Sequence, residues 1–568
     1  MRKRIVGALL FVPALCLTAN YGDSQERAER IQAGSELAKL AAEVEQHPVA
    51  KMAAAVHAQP GRRIRSDIPA WLRAHYFRNH PHVLAAVAAP GAPVDPTGGL
   101  PLALDNLYVW MLLHQNLQPS PAPAALAAAP VTVGPNMRIS GQNDSPRSES
   151  DIRISFVDSK HIIAASNNIG NGRQAQFYST DGGASWGQTT LPLLSGDSLH
   201  SDPTVDWTSD GTAWATTIGI GAGTTNLQMR SYKSTDGGQN WTFDGTFSGN
   251  QTSADKQMMC VDHGSSSTFR DTIHVIWHND QPAYVNRRTP GATGTWQTPL
   301  RVSGSETTGT AIGSDITTNS AGEVFAVWPD TGSQNVFFVK STDGGAIYSQ
   351  PKPIGKTFGS FQIRVPAFNE RGALIGVSIA AFRDANRNDI YVTWVDLAGD
   401  PGCDTPTSEP GTDVTSSCKS RVWFTRSMDG GANWDSPKMI NPLPERTDQF
   451  NQKLAVDPET GVLGVIYYQT GTGPDRKKTD IMFQLSGNNG GTWSTPTTKV
   501  TTARSDETTG SADLGNQYGD YNGLSVVKGV FFPCWTDRRS NQSEEIYTAK
   551  ITFTKTEAGG ITPVVSEK

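Results

Sequence analysis

Short apolar runs separated by Gly, Asp, Asn and Pro fill the chain from about residue 131 onward. Runs such as QMMCVD and VFFPCWTD are a few residues long and end at turn-forming residues, a pattern that predicts β-strands. The preceding residues differ, because Ala and Leu are dense between 22 and about 118 and IPAWLRAHYFRNH has apolar residues at helical spacing. The pattern predicts a small α-helical N-terminal region (20–118), a Pro/Ala-rich linker (119–130), an all-β part (131–555) and a C-terminal tail (556–568).

The first 19 residues have the pattern of a secretory signal peptide, with basic MRKR followed by apolar IVGALLFVPALCLTA. This apolar stretch is too short for a membrane span, and no later stretch reaches 18 apolar residues. We therefore expect a secreted or periplasmic protein without a stable membrane span.

One motif, S-x-D-x-G-x-x-W, repeats along the β part. Its copies are STDGGASW (179–186), STDGGQNW (234–241), STDGGAIY (341–348), SMDGGANW (427–434) and SGNNGGTW (486–493). The third residue of each copy can accept hydrogen bonds from the turn backbone, Gly supplies positive φ, and the aromatic ring packs between sheets. These third residues are Asp181, Asp236, Asp343, Asp429 and Asn488. The motif, called the box below, therefore specifies a hairpin turn rather than a catalytic group.

The spacing of the boxes predicts the number of repeated units. Successive boxes start at 179, 234, 341, 427 and 486, which gives intervals of 55, 107, 86 and 59 residues. The 107-residue interval holds two units, with Trp296 in a degenerate box, and the 86-residue interval holds an insertion. A last unit, from GDYNGL onward, lacks its outer strand, which VTVGPNMRIS (131–140) can supply by joining the two ends of a ring. The sequence thus predicts an all-β, seven-bladed β-propeller, with six blades as the alternative.

Composition and cysteine positions narrow the class further. Charged residues make up 18% of the chain, and Gly (56) and Pro (35) are frequent, so the sequence is neither disordered nor a coiled coil. The net charge of −6 argues against a broad phosphate-binding surface, and no nucleic-acid partner is expected. Cys403 and Cys418 flank a turn-rich loop and are expected to form a disulfide in an oxidising compartment. Cys260 and Cys534 lie in apolar runs and are expected to be buried thiols.

The boxes resemble those of the Asp-box, or BNR-repeat, sialidase-like β-propellers, over about residues 140–553. Sialidases of that superfamily are exo-glycosidases that hold the carboxylate of sialic acid with three arginines. They use a Tyr nucleophile assisted by a Glu, and an Asp as acid/base. The resemblance therefore implies a propeller with a glycan or glycoconjugate as partner. It makes a secreted exo-α-sialidase-type hydrolase of an acidic sugar one hypothesis of function.

Candidate site residues follow from their expected places in a propeller, where inner strands line a central channel and loops converge on one of its mouths. Polar residues recur at the predicted starts of inner strands and ends of second strands. These segments are ESDIR (149–153), SDP (201–203), DK (255–256), HND (278–280), SD (314–315), Asp330, QIR (362–364), Asp396, QFNQ (449–452), GDY (519–521) and DRR (537–539). Each Asp alone can cap a strand end, but together they predict a carboxylate-rich binding site at one mouth.

The resemblance gives some of these residues roles. Tyr521, or Tyr518, resembles the nucleophile, and Asp202, or Asp151, resembles the acid/base. A neutral Tyr suits a substrate whose own carboxylate would repel an anionic nucleophile, and a carboxylate would take its proton. The predicted catalytic residues are Tyr521, Asp202 and Asp520. The predicted substrate-binding residues are Arg153, Arg364 (in FQIRVP, which looks like the family's Arg-Ile-Pro element), Arg538 (or Arg539), Asp315 and His278. An arginine can pair bidentately with a carboxylate.

Two other hypotheses remain open at this point. One is a carbohydrate- or glycoprotein-binding propeller without catalysis, and the other is a polysaccharide lyase with His278 or Tyr521 as base. No cofactor is expected, and no His/Cys cluster suggests zinc. Calcium held by Asp202, Asp315 and Asp520 is an alternative, because oxygen ligands suit that ion.

Overall fold

The computed structural model describes residues 131–141, 146–169, 172–221, 226–510, 512–513, 515–539, 543–555 and 561–562. All of them belong to one compact unit, Ala125–Lys568. The predicted signal peptide, helical region and linker lie outside the described residues, as does most of the predicted tail. Within the described residues, no helix is long and apolar enough to cross a membrane.

The described strands form seven four-stranded antiparallel blades, so the protein is the predicted all-β, seven-bladed β-propeller and not a six-bladed one. Blade 1 consists of Asp151–Ile154, Ile162–Ser166, Ala175–Ser179 and Gly187–Thr190, and blade 2 consists of Asp197–Trp207, Ala213–Gly221, Leu227–Ser234 and Thr242–Thr246. Blade 3 consists of Ala254–Val261, Ile273–Asn279, Ala283–Arg288 and Leu300–Arg301, and blade 4 consists of Asp315–Thr318, Val324–Asp330, Asn335–Ser341 and Lys352–Lys356. Blade 5 consists of Val377–Arg383, Asn388–Leu397, Ser420–Ser427 and Lys438–Met439, and blade 6 consists of Gln449–Val456, Leu463–Thr470, Thr479–Ser486 and Thr498–Lys499. Blade 7 consists of Gly523–Val527, Val530–Asp537, Glu545–Thr548 and Met137–Arg138.

Blade 7 closes the ring with the N-terminal strand, as predicted. Met137 pairs with Thr548 and Arg138 with Tyr547, so the outermost strand of the last blade comes from residues before the first blade. Thr132–Val133 also pairs with Ile551–Thr552, which extends the same sheet. Closure of this kind leaves no open edge between the first and last blades.

A few short elements lie outside the blades. Gln362–Ile363 pairs with Ala373–Leu374 in a hairpin between blades 4 and 5, and Thr554–Lys555 pairs with Ile561–Thr562. Two 3₁₀ turns occur at Pro406–Ser408 and Gly473–Lys477. The interpretation of residues 362–364 as the start of the fifth inner strand was wrong, because Val377–Arg383 takes that place.

Each box folds into the same turn. In the second box, Ser234 Oγ donates to Asp236 Oδ1 at 2.7 Å and accepts from the Gly238 amide at 2.9 Å, while the Asn240 amide donates to Asp236 Oδ1 at 2.9 Å. The equivalent serine-to-carboxylate or serine-to-amide bonds in the other four boxes are 2.7–2.9 Å long. In all five boxes the Ser side chain thus hydrogen-bonds to the third residue of its own turn.

The degenerate third unit uses other contacts in place of a box. Trp296 Nε1 donates to Ser231 Oγ at 2.8 Å, and its ring stacks on Phe247 with centroids 4.4 Å apart. Arg288 pairs with both carboxylate oxygens of Asp244 at 2.9 and 3.0 Å and lies over the ring of Trp214. Stacking and a bidentate ion pair thus hold this unit to blade 2.

The core lies between neighbouring blades, because the second strands are buried on both faces. Trp277, Trp328, Trp394 and Trp535 lie on the second strands of blades 3, 4, 5 and 7, and all four are fully buried. The predicted Cys403–Cys418 disulfide is confirmed, and Cys260 and Cys534 are buried free thiols, as expected.

Candidate functional site

Hydrogen bonds between adjacent inner strands define equivalent positions around the channel. Asp151 Oδ2 accepts from the Val205 amide at 3.0 Å, and Asp315 Oδ2 accepts from the Ile379 amide at 3.1 Å. Bonds of the same kind link blades 2 to 3, 5 to 6 and 7 to 1. Each blade places one residue near the start of its inner strand, two residues before the acceptor in blades 1, 4 and 5 (Asp151, Asp315 and Ser378) and four residues before it in blades 2 and 7 (Asp206 and Ser525). We call these the mouth ring: Glu149, Asp202, Lys256, Gly313, Gly376, Asn451 and Tyr521.

Four non-glycine residues of the mouth ring have left-handed backbone. Their φ values are 55° for Glu149, 53° for Asp202, 57° for Lys256 and 47° for Asn451. This conformation is costly for residues with a Cβ, and such residues concentrate at functional sites. In blades 2, 3 and 6 the residue lies in a β-bulge of the inner strand, so a repeated backbone feature recurs at this position while its side chain changes from blade to blade.

Three carboxylates converge on the ammonium group of Lys256. Glu149 Oε1 and Asp202 Oδ2 each lie 3.7 Å from Lys256 Nζ, and Asp520 Oδ2 also pairs with it. Asn167 joins two of these residues, since its Nδ2 donates to Glu149 Oε2 at 2.6 Å and its Oδ1 accepts from the Asp202 amide at 2.9 Å. Blades 1, 2, 3 and 7 thus contribute to one charged cluster at the channel mouth.

The cluster separates the protonation states of its carboxyl groups. Burial raises the pKa of Asp202 to about 7, with Lys256 opposing the rise and the Glu149 carboxylate adding to it. Burial alone would raise the pKa of Glu149, but Lys256, Arg371 and hydrogen bonds from Asp202 and Asn167 hold it below its usual value. One carboxyl that keeps its proton near neutral pH therefore lies beside one that is ionised.

Arg371 is a member of the cluster that sequence reasoning missed. It lies in the hairpin between blades 4 and 5, and its Nη2 pairs with Glu149 Oε1 at 3.3 Å and with Asp520 Oδ1. Its Nη1 donates to the Gly515 carbonyl at 3.0 Å. The hairpin has no box and no inner-strand register, so only the fold shows that it reaches the mouth.

Tyr521 and His278 lie at the same mouth. The Tyr521 hydroxyl donates to the Pro203 carbonyl at 3.1 Å, and the Lys256 ammonium lies 5.9 Å from its ring. Burial, with Asp202 and Glu149 nearby, raises the pKa of Tyr521 well above its usual value. His278 Nε2 lies 3.6 Å from Asp255 Oδ2, and Asp255 directly precedes Lys256 in the sequence.

The other predicted arginines have partners away from this cluster. Arg153 Nη1 donates to Asp151 Oδ1 at 2.8 Å. Burial alone would lower the pKa of Arg153, but the nearby carboxylates of Asp151, Asp206 and Asp315 outweigh burial, so the pKa is raised above its usual value. Arg538 is fully buried and donates to the Asp506 carbonyl at 2.7 Å. Arg364 is exposed on the hairpin, where its amide donates to Glu409. In the described residues these arginines do not converge on one pocket.

Asp315 lies one layer further along the channel. Its Oδ2 pairs with Lys453 Nζ at 2.8 Å, across from blade 4 to blade 6. Asp202 and Asp520 pair instead with Lys256, so the three residues considered for calcium do not share one cation-binding position, and each already has a lysine ammonium group beside it. The described part of the chain has no group of three His, Cys, Asp or Glu side chains arranged to hold a metal ion.

The fold and this cluster define a seven-bladed β-propeller with a carboxylate-rich channel mouth. No protein-family model and no curated protein matches the sequence. Among solved structures, the chain is similar to a Dyadobacter fermentans protein of unknown function (12% identity over 74% of this chain and 99% of that one, TM-score 0.40). It is also similar to the α-L-arabinofuranosidase Arb93A from Fusarium graminearum (13%, 61% and 91%, TM-score 0.38) and to the intramolecular trans-sialidase from Ruminococcus gnavus (14%, 73% and 95%, TM-score 0.36).

Proposed function

We propose that the protein is a glycoside hydrolase whose active site is the charged cluster at the channel mouth. One observation carries the proposal: a carboxyl with a pKa of about 7, Asp202, lies within the same cluster as the ionised Glu149. Hydrolysis of a glycosidic bond needs a proton donor and a carboxylate on the two sides of the anomeric carbon, so a bound sugar has to separate Asp202 from Glu149, which hydrogen-bond to each other in the cluster.

In this proposal Asp202 protonates the glycosidic oxygen as its bond to the anomeric carbon breaks. Glu149 or Asp520 stabilises the positive charge that develops on the sugar, or activates the water that completes hydrolysis. Lys256 and Arg371 keep these carboxylates in place through ion pairs. The water gives its hydroxyl group to the anomeric carbon and its other proton to the carboxylate that activates it, and proton exchange with solvent then returns this carboxylate and Asp202 to their starting states.

A finer form of the proposal is an exo-sialidase-type enzyme acting on an acidic sugar, with Tyr521 as nucleophile. The Tyr521 ring lies 5.9 Å from the Lys256 ammonium group on which the carboxylates of the cluster converge, which supports it. Secretion is proposed with it, and the Cys403–Cys418 disulfide supports an oxidising compartment.

A carbohydrate-binding propeller without catalysis is the second candidate. The observation that favours it is the ammonium group of Lys256, which already pairs with Glu149, Asp202 and Asp520. A fully paired cluster can serve recognition alone, with hydroxyl groups of a glycan binding at its rim.

A panel of fluorogenic aryl glycosides, including neutral sugars and a sialoside, tests these proposals on the purified mature protein. Turnover that Asp202→Asn abolishes supports the hydrolase, and turnover of the sialoside that Tyr521→Phe also abolishes supports the finer form. Absence of turnover together with glycan-array binding supports the second candidate. An unsaturated uronate product from a polysaccharide would instead indicate a lyase.

A further inference from the structure

An aspartate and a histidine of blade 3 face each other at the channel mouth. Asp255 lies at the start of the inner strand and pairs across the sheet with His278, near the end of the second strand. Asp255 Oδ2 and His278 Nε2 are 3.6 Å apart, which is too long for a hydrogen bond. The two side chains therefore meet without bonding directly.

The position of the hydrogen on the His278 ring follows from the partner of its other nitrogen. Nδ1 lies 3.0 Å from the Asp280 carbonyl oxygen, which can only accept, so Nδ1 is assigned as the donor. In the neutral ring, Nε2 then carries a lone pair and no hydrogen. Nε2 is buried and has no hydrogen-bond partner within the described part of the chain. Two acceptors, Nε2 and the Asp255 carboxylate, thus face one position.

A water molecule matches this pair of acceptors. Facing acceptors repel each other, and a buried nitrogen without a partner is costly, so the arrangement calls for a donor with two hydrogens. A water that donates one hydrogen to Asp255 Oδ2 and the other to His278 Nε2 keeps a lone pair of its oxygen free. Such a water is oriented for attack on carbon, and the carboxylate beside it can take its proton.

Asp255 is also much more accessible than the carboxylates that pair with Lys256. The Asp255 side chain is 33% exposed, whereas those three side chains are between 2% and 6% exposed. The Lys256 amide donates to Asp255 Oδ1 at 2.9 Å, which holds the carboxylate in place. Burial and, in addition, the carboxylates of Glu149 and Asp255 raise the pKa of Asp202 to about 7. An exposed carboxylate therefore helps the proposed proton donor to keep its proton.

We propose that Asp255 and His278 hold the water that attacks the anomeric carbon, and that Asp255 takes its proton. The water oxygen bonds to that carbon while the bond to the glycosidic oxygen breaks, and Asp202 gives its proton to the departing oxygen. A single displacement of this kind inverts the anomeric configuration. The inference rests on the general form of the proposed function and leaves charge stabilisation to the buried carboxylates. It differs from the finer form, in which a tyrosine attacks first and the configuration is retained.

Nitrogen-15 NMR of the histidine ring tests the water site without a substrate. Long-range nitrogen–proton spectra of the purified protein are recorded at about pH 8, above the ordinary pKa of histidine. The signals of His278 are assigned by their absence in His278→Gln. We expect a neutral ring with its hydrogen on Nδ1. A hydrogen on Nε2, in a neutral or a charged ring, would point at Asp255 and overturn the proposal.

Kinetics with azide test the catalytic step. Asp255→Ala should lower kcat/KM for an aryl glycoside about 100- to 10,000-fold, because the attacking water loses its base. Azide is a nucleophile that needs no base, so sodium azide should restore turnover of the variant and form a glycosyl azide of inverted configuration. A loss that azide does not restore would assign Asp255 a structural role instead. Retention of configuration by the wild type would also overturn the proposal.

Asp475→Asn is the matched control for these kinetics. Asp475 is 48% exposed and follows the second strand of blade 6, so it is an accessible carboxylate on the same side of the propeller. Its substitution should leave kcat/KM within twofold of the wild type. A wild type that cleaves no glycoside would remove the proposed function and the catalytic role of the water with it. A hydrogen on Nε2 in an active enzyme would overturn the water site and leave the proposed function standing.

Discussion

The box turns and the mouth ring both recur around the propeller, but the boxes repeat the same residue types, whereas the mouth ring repeats only a backbone position. Four of the five boxes keep the same Ser and Asp, and their bonds agree within 0.2 Å, from 2.7 to 2.9 Å across all five. The mouth ring keeps one backbone position and changes the side chain, from Glu149 to Asp202 to Lys256 to Asn451. A residue type that recurs at the same place in each unit thus indicates a folding motif, whereas a backbone position that recurs with different side chains indicates a functional site.

The energetic difference follows from burial. Asp236 in a box is exposed and binds the amides of its own turn, so each box contributes a small, local stabilisation. Glu149 and Asp202 are buried and strained, and the charge of Glu149 depends on Lys256 for compensation. Substitutions in the mouth ring and in the boxes should therefore differ both in the property that they affect, activity or stability, and in the size of the effect.

The largest expected effect separates the two regions by activity. Asp202→Asn removes the proposed proton donor and should lower kcat/KM about 100- to 10,000-fold, the range typical of a general acid. Asp236→Asn in a box should leave kcat/KM within twofold of the wild type. Kinetics with whichever aryl glycoside the wild type cleaves provide the measurement. Similar losses in both variants would remove the distinction between ring and box.

Removal of the central cation should have the largest effect on stability. Lys256→Met leaves buried carboxylates without their cation and should lower the free energy of unfolding by about 3–5 kcal/mol. Part of the loss should be recovered as the pH falls, because protonated carboxyl groups no longer need a counter-charge. Urea denaturation at several pH values measures both effects. A stability unchanged at neutral pH would show that the carboxylates do not depend on Lys256.

The pH dependence of stability should also report the mouth ring. Asp202 has an ordinary pKa of 3.8 in the unfolded chain and about 7 when folded, so between these values the folded state holds a proton that the unfolded state has released. The free energy of unfolding should therefore fall as the pH rises through this window and level off above it. Asp202→Asn should remove this component, so the variant gains stability relative to the wild type as the pH rises. Parallel profiles for the two proteins would place the folded pKa of Asp202 near its ordinary value.

The smallest effect is expected in a box. Asp236→Ala removes the acceptor for Ser234, Gln239 and Asn240 and should cost about 1 kcal/mol of stability, the usual value for a local side-chain-to-backbone cap. The activity of the folded protein should be retained. Thermal melting beside an activity assay measures both, and a loss of activity without a loss of stability would assign the box a role in the site.

Local patterns in the sequence were sufficient to predict the propeller. Box spacing, Trp296 in the degenerate unit and the strand near residue 137 predicted seven blades and their closure, because each depends on neighbouring residues or on a regular repeat. The Cys403–Cys418 disulfide followed from its loop for the same reason.

The candidate site was only partly predictable. Asp202, Asp520 and Tyr521 were selected from their places at inner-strand starts, and the fold brings them to one mouth. Arg371 was not selected, because the hairpin that carries it interrupts the repeat and its partners are 149 and 222 residues away. The central place of Lys256 also depends on the closed ring, which brings four separate blades together.

A carbon-13 NMR titration of side-chain carboxyl groups tests the central claim most directly. The wild type should show two Asp carboxyls that titrate near pH 7, Asp202 and the buried Asp396, and only the first should be absent in Asp202→Asn, while Asp236 in its box titrates in the usual acidic range or below it. An Asp202→Asn spectrum that keeps every carboxyl signal of the wild type near pH 7 would contradict a protonated Asp202 and, with it, the proposed active site.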